Sequence, residues 1–386
     1  MEVLKDYSWL RGVNHYICDE ATTRQQLSYG KRVNLNSIRI WLVAEEWAEN
    51  PKAFCDELRN YIRICYDCGY TVMPILLNGN RFKNEYVEEE NMKFLDKYVT
   101  YVVNEIKDEE GLLMWDIMNE PSYNPWLLEK GISDEELNYR TERIWSFVRH
   151  YCHLVKELDP KTATTVGHTR GYEIEYTADD VDVFSFHDYS ATKAKCMKNY
   201  ATADALSKKY GKPVIQTETG CLARCNPYDM ALEVCNHFNM GWMLFELMIH
   251  DRCDTEHGIF YPDGTVRDPA TIAAMFGCYR NRGDSIIVPL PNREGAANNC
   301  VNAIKKALSE YTEDCFDYRR SNVDDLLNAC EKAANLLECC DMIPMAYPPT
   351  AKINRYRAME NPPIDEIRVL AFELAKTLRE ICQILS

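Results

Sequence analysis

The sequence predicts a (β/α)₈ barrel with a C-terminal α-helical extension. Eight short apolar segments recur between residues 9 and 247, and continuous apolar runs are typical of strands that are buried on both faces of a parallel sheet. Helical patterns fill most of the gaps, as in repeated βα units. The 386 residues exceed the roughly 250 that such a barrel needs.

The eight predicted strands are short and rich in β-branched and aromatic residues. They are Trp9 to Tyr16, Leu35 to Leu42, Tyr70 to Asn78, Leu112 to Glu120, Thr162 to His168, Asp182 to His187, Lys212 to Glu218 and Gly241 to Leu247. A doubly wound open sheet is the alternative fold. It would normally carry a glycine-rich phosphate loop after an early strand, and the sequence has none there.

The clearest helical pattern lies between the second and third strands, over Asn50 to Cys68. Pro51 stands in its first turn, and apolar residues follow at helical spacing. Met92 to Ile106 and Asn138 to Leu158 repeat this pattern. The gap from Thr169 to Asp180 is short and predicts a turn or one small helix.

The pattern changes after Arg282, so we predict a barrel domain over residues 1–283 and a helical extension over residues 284–386. Amphipathic helices are expected at Ala296 to Tyr311, Asn322 to Cys340 and Ile364 to Leu385. Their apolar stripes must be covered. They could pack on the barrel, form a homo-oligomer interface or roof the active site, and the sequence leaves these alternatives open.

The composition restricts the class of partner. Asp and Glu total 60 against 44 Lys and Arg, a formal net charge of -16, which disfavours a nucleic-acid partner. No apolar run approaches the roughly 18 residues of a membrane span, and the first ten residues lack the apolar segment of a secretory signal. We therefore expect a cytoplasmic protein whose 17 cysteines are reduced thiols.

Two glutamates close predicted strands on opposite sides of the barrel. Glu120 ends the fourth strand and Glu218 ends the seventh, and the active site of such a barrel lies at these C-terminal ends. Glycosidic-bond cleavage needs two facing carboxyl groups, one protonated and one ionised, and mutual repulsion in one cleft helps to separate their pKa values. Either glutamate alone could be a salt-bridge partner, but the facing pair predicts a glycosidase site.

These motifs resemble clan A of the glycoside hydrolases, in which Asn-Glu-Pro stands at the fourth strand and a glutamate ends the seventh. The matching residues here are Asn119-Glu120-Pro121 and Glu218. The segments Arg11-Gly12-Val13-Asn14 and Ile38-Arg39-Ile40 resemble its cellulase-like members, glycoside hydrolase family five and relatives. The resemblance covers about Trp9 to Arg282.

The resemblance implies roles for individual residues. Glu120 becomes the general acid/base and Glu218 the nucleophile. Asn119 would bind the sugar 2-hydroxyl, a contact that strengthens towards the oxocarbenium-like transition state. Arg39 would lie beside the nucleophile, and a fixed cation there would keep Glu218 ionised.

Further candidate substrate contacts lie at strands six, three and eight, and the last two strands depart from the family pattern. His187 resembles a family residue that contacts the sugar or the acid/base, and Tyr189 one that bonds the nucleophile. Many relatives have a histidine near the end of strand three, where Asn78 stands here as a weaker candidate for sugar contact. The tryptophan platform of strand eight could fall on Trp242 or on Phe245, although both rings could equally be core residues.

Glu246 ends strand eight as a third acid, which could bind a hydroxyl pair, a cationic group or a neighbouring arginine. From all these residues we predict a retaining glycoside hydrolase that cleaves β-glycosidic bonds of small glycosides or oligosaccharides by double displacement, without a metal or cofactor. A catalytically silent carbohydrate-binding barrel and a transglycosidase are the alternatives, because fold alone does not prove activity.

Overall fold

The computed structural model describes residues 3–250, 257–280, 301–306, 308, 322–339 and 343–385. It confirms the predicted barrel, because eight parallel strands follow one another in chain order and β1 pairs with β8 to close the sheet. The strands are β1 (Arg11–Asn14), β2 (Ser37–Trp41), β3 (Thr71–Asn78), β4 (Met114–Asn119), β5 (Ala163–His168), β6 (Phe184–Asp188), β7 (Val214–Thr219) and β8 (Gly241–Leu244).

Helices surround this sheet on its outer side. They are α1 (Glu20–Lys31), α2 (Ala44–Glu49), α3 (Pro51–Asp67), α4 (Glu89–Ile106), α5 (Asp134–Leu158), α6 (Lys193–Tyr210), α7 (Tyr228–His237) and α8 (Pro269–Met275), with short 3₁₀ helices at Gly79–Arg81, Asn84–Val87, Gly171–Thr177 and Leu222–Arg224. The 3₁₀ helix Gly171–Thr177 occupies the short gap between β5 and β6.

Helix α3 shows how the sequence determines these outer elements. The side chain of Asn50 accepts a hydrogen bond from the backbone N–H of Ala53, and Pro51 lies in the first turn, where its missing N–H costs nothing. Leu58, Ile62 and other apolar residues at helical spacing are buried. Each such side chain contributes about 1.5–3 kcal/mol by leaving water, so packing on the sheet stabilises the helix.

The barrel interior is apolar at the N-terminal ends of the strands and polar at their C-terminal ends. Met73, Met114, Ile215 and Met243 belong to one buried apolar cluster at the N-terminal ends. Arg39, Asp116, His187 and other charged or polar residues are buried further along. The apolar cluster fills the barrel at the N-terminal ends, so the polar residues of the interior lie towards the C-terminal ends.

The described residues form two compact units, the barrel within 3–222, 226–250 and 257–280, and a second unit with 223–225, 301–306, 308, 322–339 and 343–385. The second contains α9 (Val323–Cys339), α10 (Ile343–Arg357) and α11 (Ile364–Leu385), whose shared core includes Leu337 and Leu374. The predicted boundary at 283/284 lies outside the described residues, as do parts of the predicted helix Ala296 to Tyr311, of which 301–306 and 308 are helical.

Helix α10 is an element that the sequence did not predict. It contains Pro348 and Pro349, and proline normally interrupts a helix because it lacks an N–H and clashes with the preceding turn. Ile353 and Tyr356 are nevertheless buried in the core of this unit. Tertiary packing therefore overrides the local propensity. In the part of the chain that the structure describes, no helix has the combination of length and apolar character that a membrane span requires.

Candidate active site

The two glutamates at the strand ends meet in one cleft. Glu218 is a residue of β7 and Glu120 directly follows β4. One carboxylate oxygen of Glu120, one of Glu218 and one ring nitrogen of His187 all lie within 4.8 Å of one another. The two carboxyl groups are therefore close enough to act on the same bond.

The backbone of Glu120 is held in an unusual conformation. Its φ of 46° lies in the left-handed region, which residues with a side chain rarely adopt. Its N–H donates to the carbonyl oxygen of Gly167 at 2.7 Å, and its own carbonyl accepts from the N–H of Tyr123. A Cβ at Gly79 would lie 2.0 Å from the carbonyl oxygen of Glu120, so this approach of the chain requires a glycine.

Arg39 organises the floor of the cleft. Its Nη1 donates to Oε2 of Glu218 at 2.9 Å and to Oδ1 of Asn14 at 3.1 Å. Its Nε and Nη2 both donate to Oδ2 of Asp116, at 2.9 and 2.8 Å, and Nη2 also reaches Oδ1 of Asn119 at 2.8 Å. Burial lowers the pKa of Arg39, but Asp116 and Glu218 outweigh it and raise that pKa overall. The guanidinium therefore stays charged.

Gly167 of β5 leaves the space in which these groups meet. A Cβ at this position would lie 2.7 Å from Nη2 of Arg39, and 3.1 Å from both Oδ2 of Asp116 and Nε2 of His187. A real Cβ contact with a fixed polar atom is rarely as short as 2.7 Å. The present position of the guanidinium therefore depends on the absence of a side chain at residue 167.

Tyr189 and His187 connect β6 to the two carboxylates. The Tyr189 hydroxyl donates to Oε1 of Glu218 at 2.8 Å. Nδ1 of His187 lies 2.9 Å from Oε1 of Glu120 and 3.4 Å from Oε2 of Glu218. Burial, opposed by Glu218 and assisted by Arg39, lowers the pKa of His187 to about 4. The imidazole is thus neutral at neutral pH, and its Nδ1 faces both carboxylates.

The amide of Asn119 lies between the ion pair and strand β3. Its Oδ1 accepts from Arg39, and its Nδ2 lies 3.4 Å from Oδ1 of Asn78. The two asparagines are paired in register across β3 and β4. Asn78, whose side chain also accepts from the N–H of Asn80, therefore stands at the edge of the cleft beside the predicted 2-hydroxyl contact.

Of the two platform candidates, Phe245 lies at the cleft. Its ring is 5.5 Å from the ring of Trp41 and 4.6 Å from that of His257 in edge-to-face contacts. Trp41 in turn stacks on Tyr16, with ring centroids 5.6 Å apart, and lies 5.5 Å from the guanidinium of Arg39. These rings form an aromatic wall beside the nucleophile.

Trp242 lies on the outer side of strand β8, in the apolar core. It is buried and lines a different cavity, of about 380 Å³, together with Arg11, Asn236 and Met275. Successive residues of a strand point to opposite faces. Met243 belongs to the cluster inside the barrel, so its neighbour Trp242 faces the outer helices.

Glu246 is buried beside a large cavity next to the cleft. Its Oε1 lies 3.1 Å from Nε2 of His250. Both residues line a cavity of about 740 Å³, which also includes Asn14, Tyr16 and Tyr261. This volume falls within the range of about 300–1,000 Å³ that is typical of small-molecule sites.

Sequence reasoning assigned no role to Asp116, Asn14 or Trp41. Asp116 was detectable, because it is a single acid within an otherwise apolar strand, and a fully buried acid needs a partner. Trp41 follows Arg39 by two positions and so shares its side of the strand. The hydrogen bond from Arg39 to Asn14 had no comparable signal.

Comparison with known families identifies the barrel. The sequence matches the family described as Cellulase (glycosyl hydrolase family 5) over residues 4–250. The chain belongs to glycoside hydrolase family 5. It is a glycoside hydrolase, and its substrate is a carbohydrate. A search of curated proteins finds no match.

Solved structures share this family 5 barrel at low sequence identity. The endo-1,4-β-mannanase of Rhizomucor miehei is 15% identical with a TM-score of 0.55, over 69% of this chain and 92% of that one. The hyperthermostable endo-1,4-β-D-mannanase of Thermotoga petrophila is 14% identical (TM-score 0.55; 70% and 99%). The endoglucanase of Pseudomonas stutzeri is 14% identical (TM-score 0.53; 72% and 97%). At such identities the similarity establishes the fold alone.

Proposed function

We propose that this family 5 enzyme hydrolyses β-glycosidic bonds with retention of configuration, by double displacement. The observation that supports retention is the spacing of Glu120 and Glu218, which bring carboxylate oxygens within 4.8 Å of each other. Retaining enzymes hold their carboxyl groups about 5–5.5 Å apart, whereas inverting enzymes keep about 6.5–9.5 Å to admit a water molecule between acid and base.

In the first step, a carboxylate oxygen of Glu218 attacks the anomeric carbon and forms a glycosyl ester. The glycosidic C–O bond breaks, and the leaving oxygen takes the proton of Glu120. Arg39 and Tyr189 donate to the two oxygens of Glu218, which stabilises the ionised carboxylate before attack.

In the second step, Glu120 takes a proton from water, whose oxygen attacks the anomeric carbon and releases Glu218 as a carboxylate. His187 assists the second step because its neutral ring can donate from Nδ1 to Glu120 when that carboxyl group is ionised. Its position 2.9 Å from Oε1 of Glu120 supports this role.

We propose Asn119 and Asn78 as contacts to the sugar hydroxyls and Phe245 as the apolar platform under the ring, with Glu246 in the adjoining cavity. Burial of ring C–H groups against an aromatic face is favourable. The cavity of about 740 Å³ supports small β-glycosides or oligosaccharides as substrates.

A panel of aryl β-glycosides (glucoside, mannoside, galactoside, xyloside) followed by a 2-fluoro-glycoside of the best sugar tests the proposal. Turnover by the wild type and covalent label on Glu218 are expected. Glu218→Gln and Glu120→Gln should each lower kcat/KM by several orders of magnitude. Glu142→Gln is the matched control, because Glu142 is a glutamate with 73% of its side chain exposed.

Absence of turnover across the panel would favour a silent carbohydrate-binding barrel. Transfer of the sugar to an added alcohol in preference to water would show a transglycosidase. A product of inverted configuration would contradict the double displacement directly.

A further inference from the structure

A further carboxyl group, that of Glu173, is buried near the segment that carries the acid/base. Glu173 lies in the 3₁₀ helix Gly171–Thr177, between β5 and β6, and is 4% exposed. Burying a carboxylate is costly unless hydrogen bonds satisfy its oxygens. The groups that contact Glu173 therefore indicate why it is buried.

Both oxygens of Glu173 are bound by neighbouring loops. Oε1 accepts from the hydroxyl of Ser122 at 2.8 Å, and Oε2 accepts from the backbone N–H of Thr169 at 2.9 Å. The hydroxyls of Ser122 and Thr169 are themselves 2.8 Å apart. The three residues thus form a closed set of contacts across the loops after β4 and β5.

These two loops are the ones that hold the backbone of Glu120. Ser122 is two residues beyond Glu120, and Thr169 is two residues beyond Gly167, whose carbonyl accepts the N–H of Glu120. The left-handed φ of Glu120 is unfavourable by itself. The surrounding contacts must therefore maintain it, and those of Glu173 link both segments.

The ionisation behaviour of Glu173 agrees with a constrained carboxyl group. Burial raises its pKa, although hydrogen bonds from Ser122 and the backbone of Thr169 act in the opposite direction. The hydroxyls of Ser122 and Thr169 can each reverse their donor direction. The contacts therefore persist in either protonation state of the carboxyl group.

We infer that Glu173 is a positioning residue that fixes the acid/base Glu120 through Ser122 and Thr169. The inference rests on the proposed function, because it needs Glu120 to be the proton donor. Loss of Glu173 would then impair proton donation specifically, rather than sugar binding or nucleophilic attack.

Leaving-group dependence measures this effect. For phenyl and dinitrophenyl β-glycosides of one sugar, kcat/KM reports the first step, and only the poor phenolate leaving group needs full proton donation. Glu173→Ala should lower kcat/KM for the phenyl glycoside about tenfold or more, and for the dinitrophenyl glycoside less than about threefold. Glu173→Gln, which can accept from Thr169 and donate to Ser122, should restore most of the phenyl activity.

Asp182→Ala is the matched control. Oδ2 of Asp182 accepts from the N–H and the hydroxyl of Thr164, at 3.0 and 3.2 Å, so it has similar chemistry at the opposite end of β5. It should lower stability in urea without changing the ratio between the two glycosides.

The outcomes distinguish a failure of the proposed function from a failure of the inference about Glu173. A wild type that turns over neither glycoside overturns the proposed function and this inference with it. An active wild type whose ratio is unchanged in Glu173→Ala, or changed equally by Asp182→Ala, overturns the inference alone. If Glu173→Ala does not fold, Ser122→Ala decides, since it removes one link only and should shift the ratio in the same direction.

Discussion

Arg39 donates from Nη1 to Glu218 at 2.9 Å while Nε and Nη2 hold Asp116 at 2.9 and 2.8 Å. All three side chains are almost completely buried. Only a planar guanidinium presents donors that reach both carboxylates in fixed directions. The nucleophile is thus oriented by a cation that is itself fixed from the other side.

We expect Arg39→Lys to fail in this role, because an ammonium group cannot reproduce the fork. The predicted loss in kcat/KM is about 100-fold, or about 2.7 kcal/mol, accompanied by a lower free energy of unfolding because Asp116 loses part of its pairing. Steady-state kinetics and urea unfolding measure both effects. Arg59→Lys, in an ion pair with Glu105 nearer the surface, is the control, and equal losses in the two variants would contradict the prediction.

Tyr189→Phe removes one hydrogen bond to Glu218 and leaves the ring in place. A hydrogen bond to a charged group contributes about 1.5–3 kcal/mol, so kcat/KM should fall about tenfold or more. Tyr139→Phe serves as the control because Tyr139 is 57% exposed on α5. Unchanged kinetics in Tyr189→Phe would exclude a role of this hydroxyl at the nucleophile.

Phe245→Ala should weaken substrate binding, since the apolar face under the sugar is lost. We expect KM to rise about tenfold, measured on the aryl glycoside that the wild type uses best. Phe276→Ala, at an exposed phenylalanine that lines the other cavity, should leave KM unchanged. Trp242→Phe should alter stability and not KM, and the reverse result would restore Trp242 as the platform.

Stability should decrease as the solution becomes acidic, because three histidines are buried as neutral rings. Burial is the largest cause in each case and lowers the pKa of His15, His168 and His187 to about 4. The unfolded chain binds these protons near pH 6.5. The contribution of these histidines to the free energy of unfolding should therefore be complete above about pH 6.5. It should decrease as the pH falls towards 4, by up to about 3 kcal/mol for each histidine.

Urea unfolding between pH 5 and pH 8 measures this slope. His168→Asn should reduce it, because that variant removes one of the three buried rings. A free energy of unfolding that is constant from pH 8 to pH 5 would contradict the prediction.

The barrel could be predicted because each strand carries its own signal. Apolar runs bounded by turn residues locate β1 to β8 within a few residues, and the rule that active sites lie at the C-terminal strand ends selects Glu120 and Glu218. Trp242 and Phe245 remained alternatives for the platform, because Phe245 lies just beyond the end of β8, where the alternation of strand side chains no longer has to hold. Which of them faces inward depends on register, which the sequence does not state.

Contacts between distant segments could not be predicted. The hydrogen bonds of Glu173 join the loops after β4 and β5, and neither loop has a periodic pattern that gives its path. Helix α10 was missed for the opposite reason. Pro348 and Pro349 are a strong local signal against a helix, and the packing of the unit overrides that signal. Long-range geometry decided both cases.

Gly167 provides a criterion for sorting related barrels. The volume beside it is filled by Arg39, Asp116 and His187, so a methyl group there would displace the guanidinium of Arg39 from its present position. A homologue with alanine, serine or valine at the equivalent site is therefore expected to hold this arginine differently, even when both of its glutamates are intact.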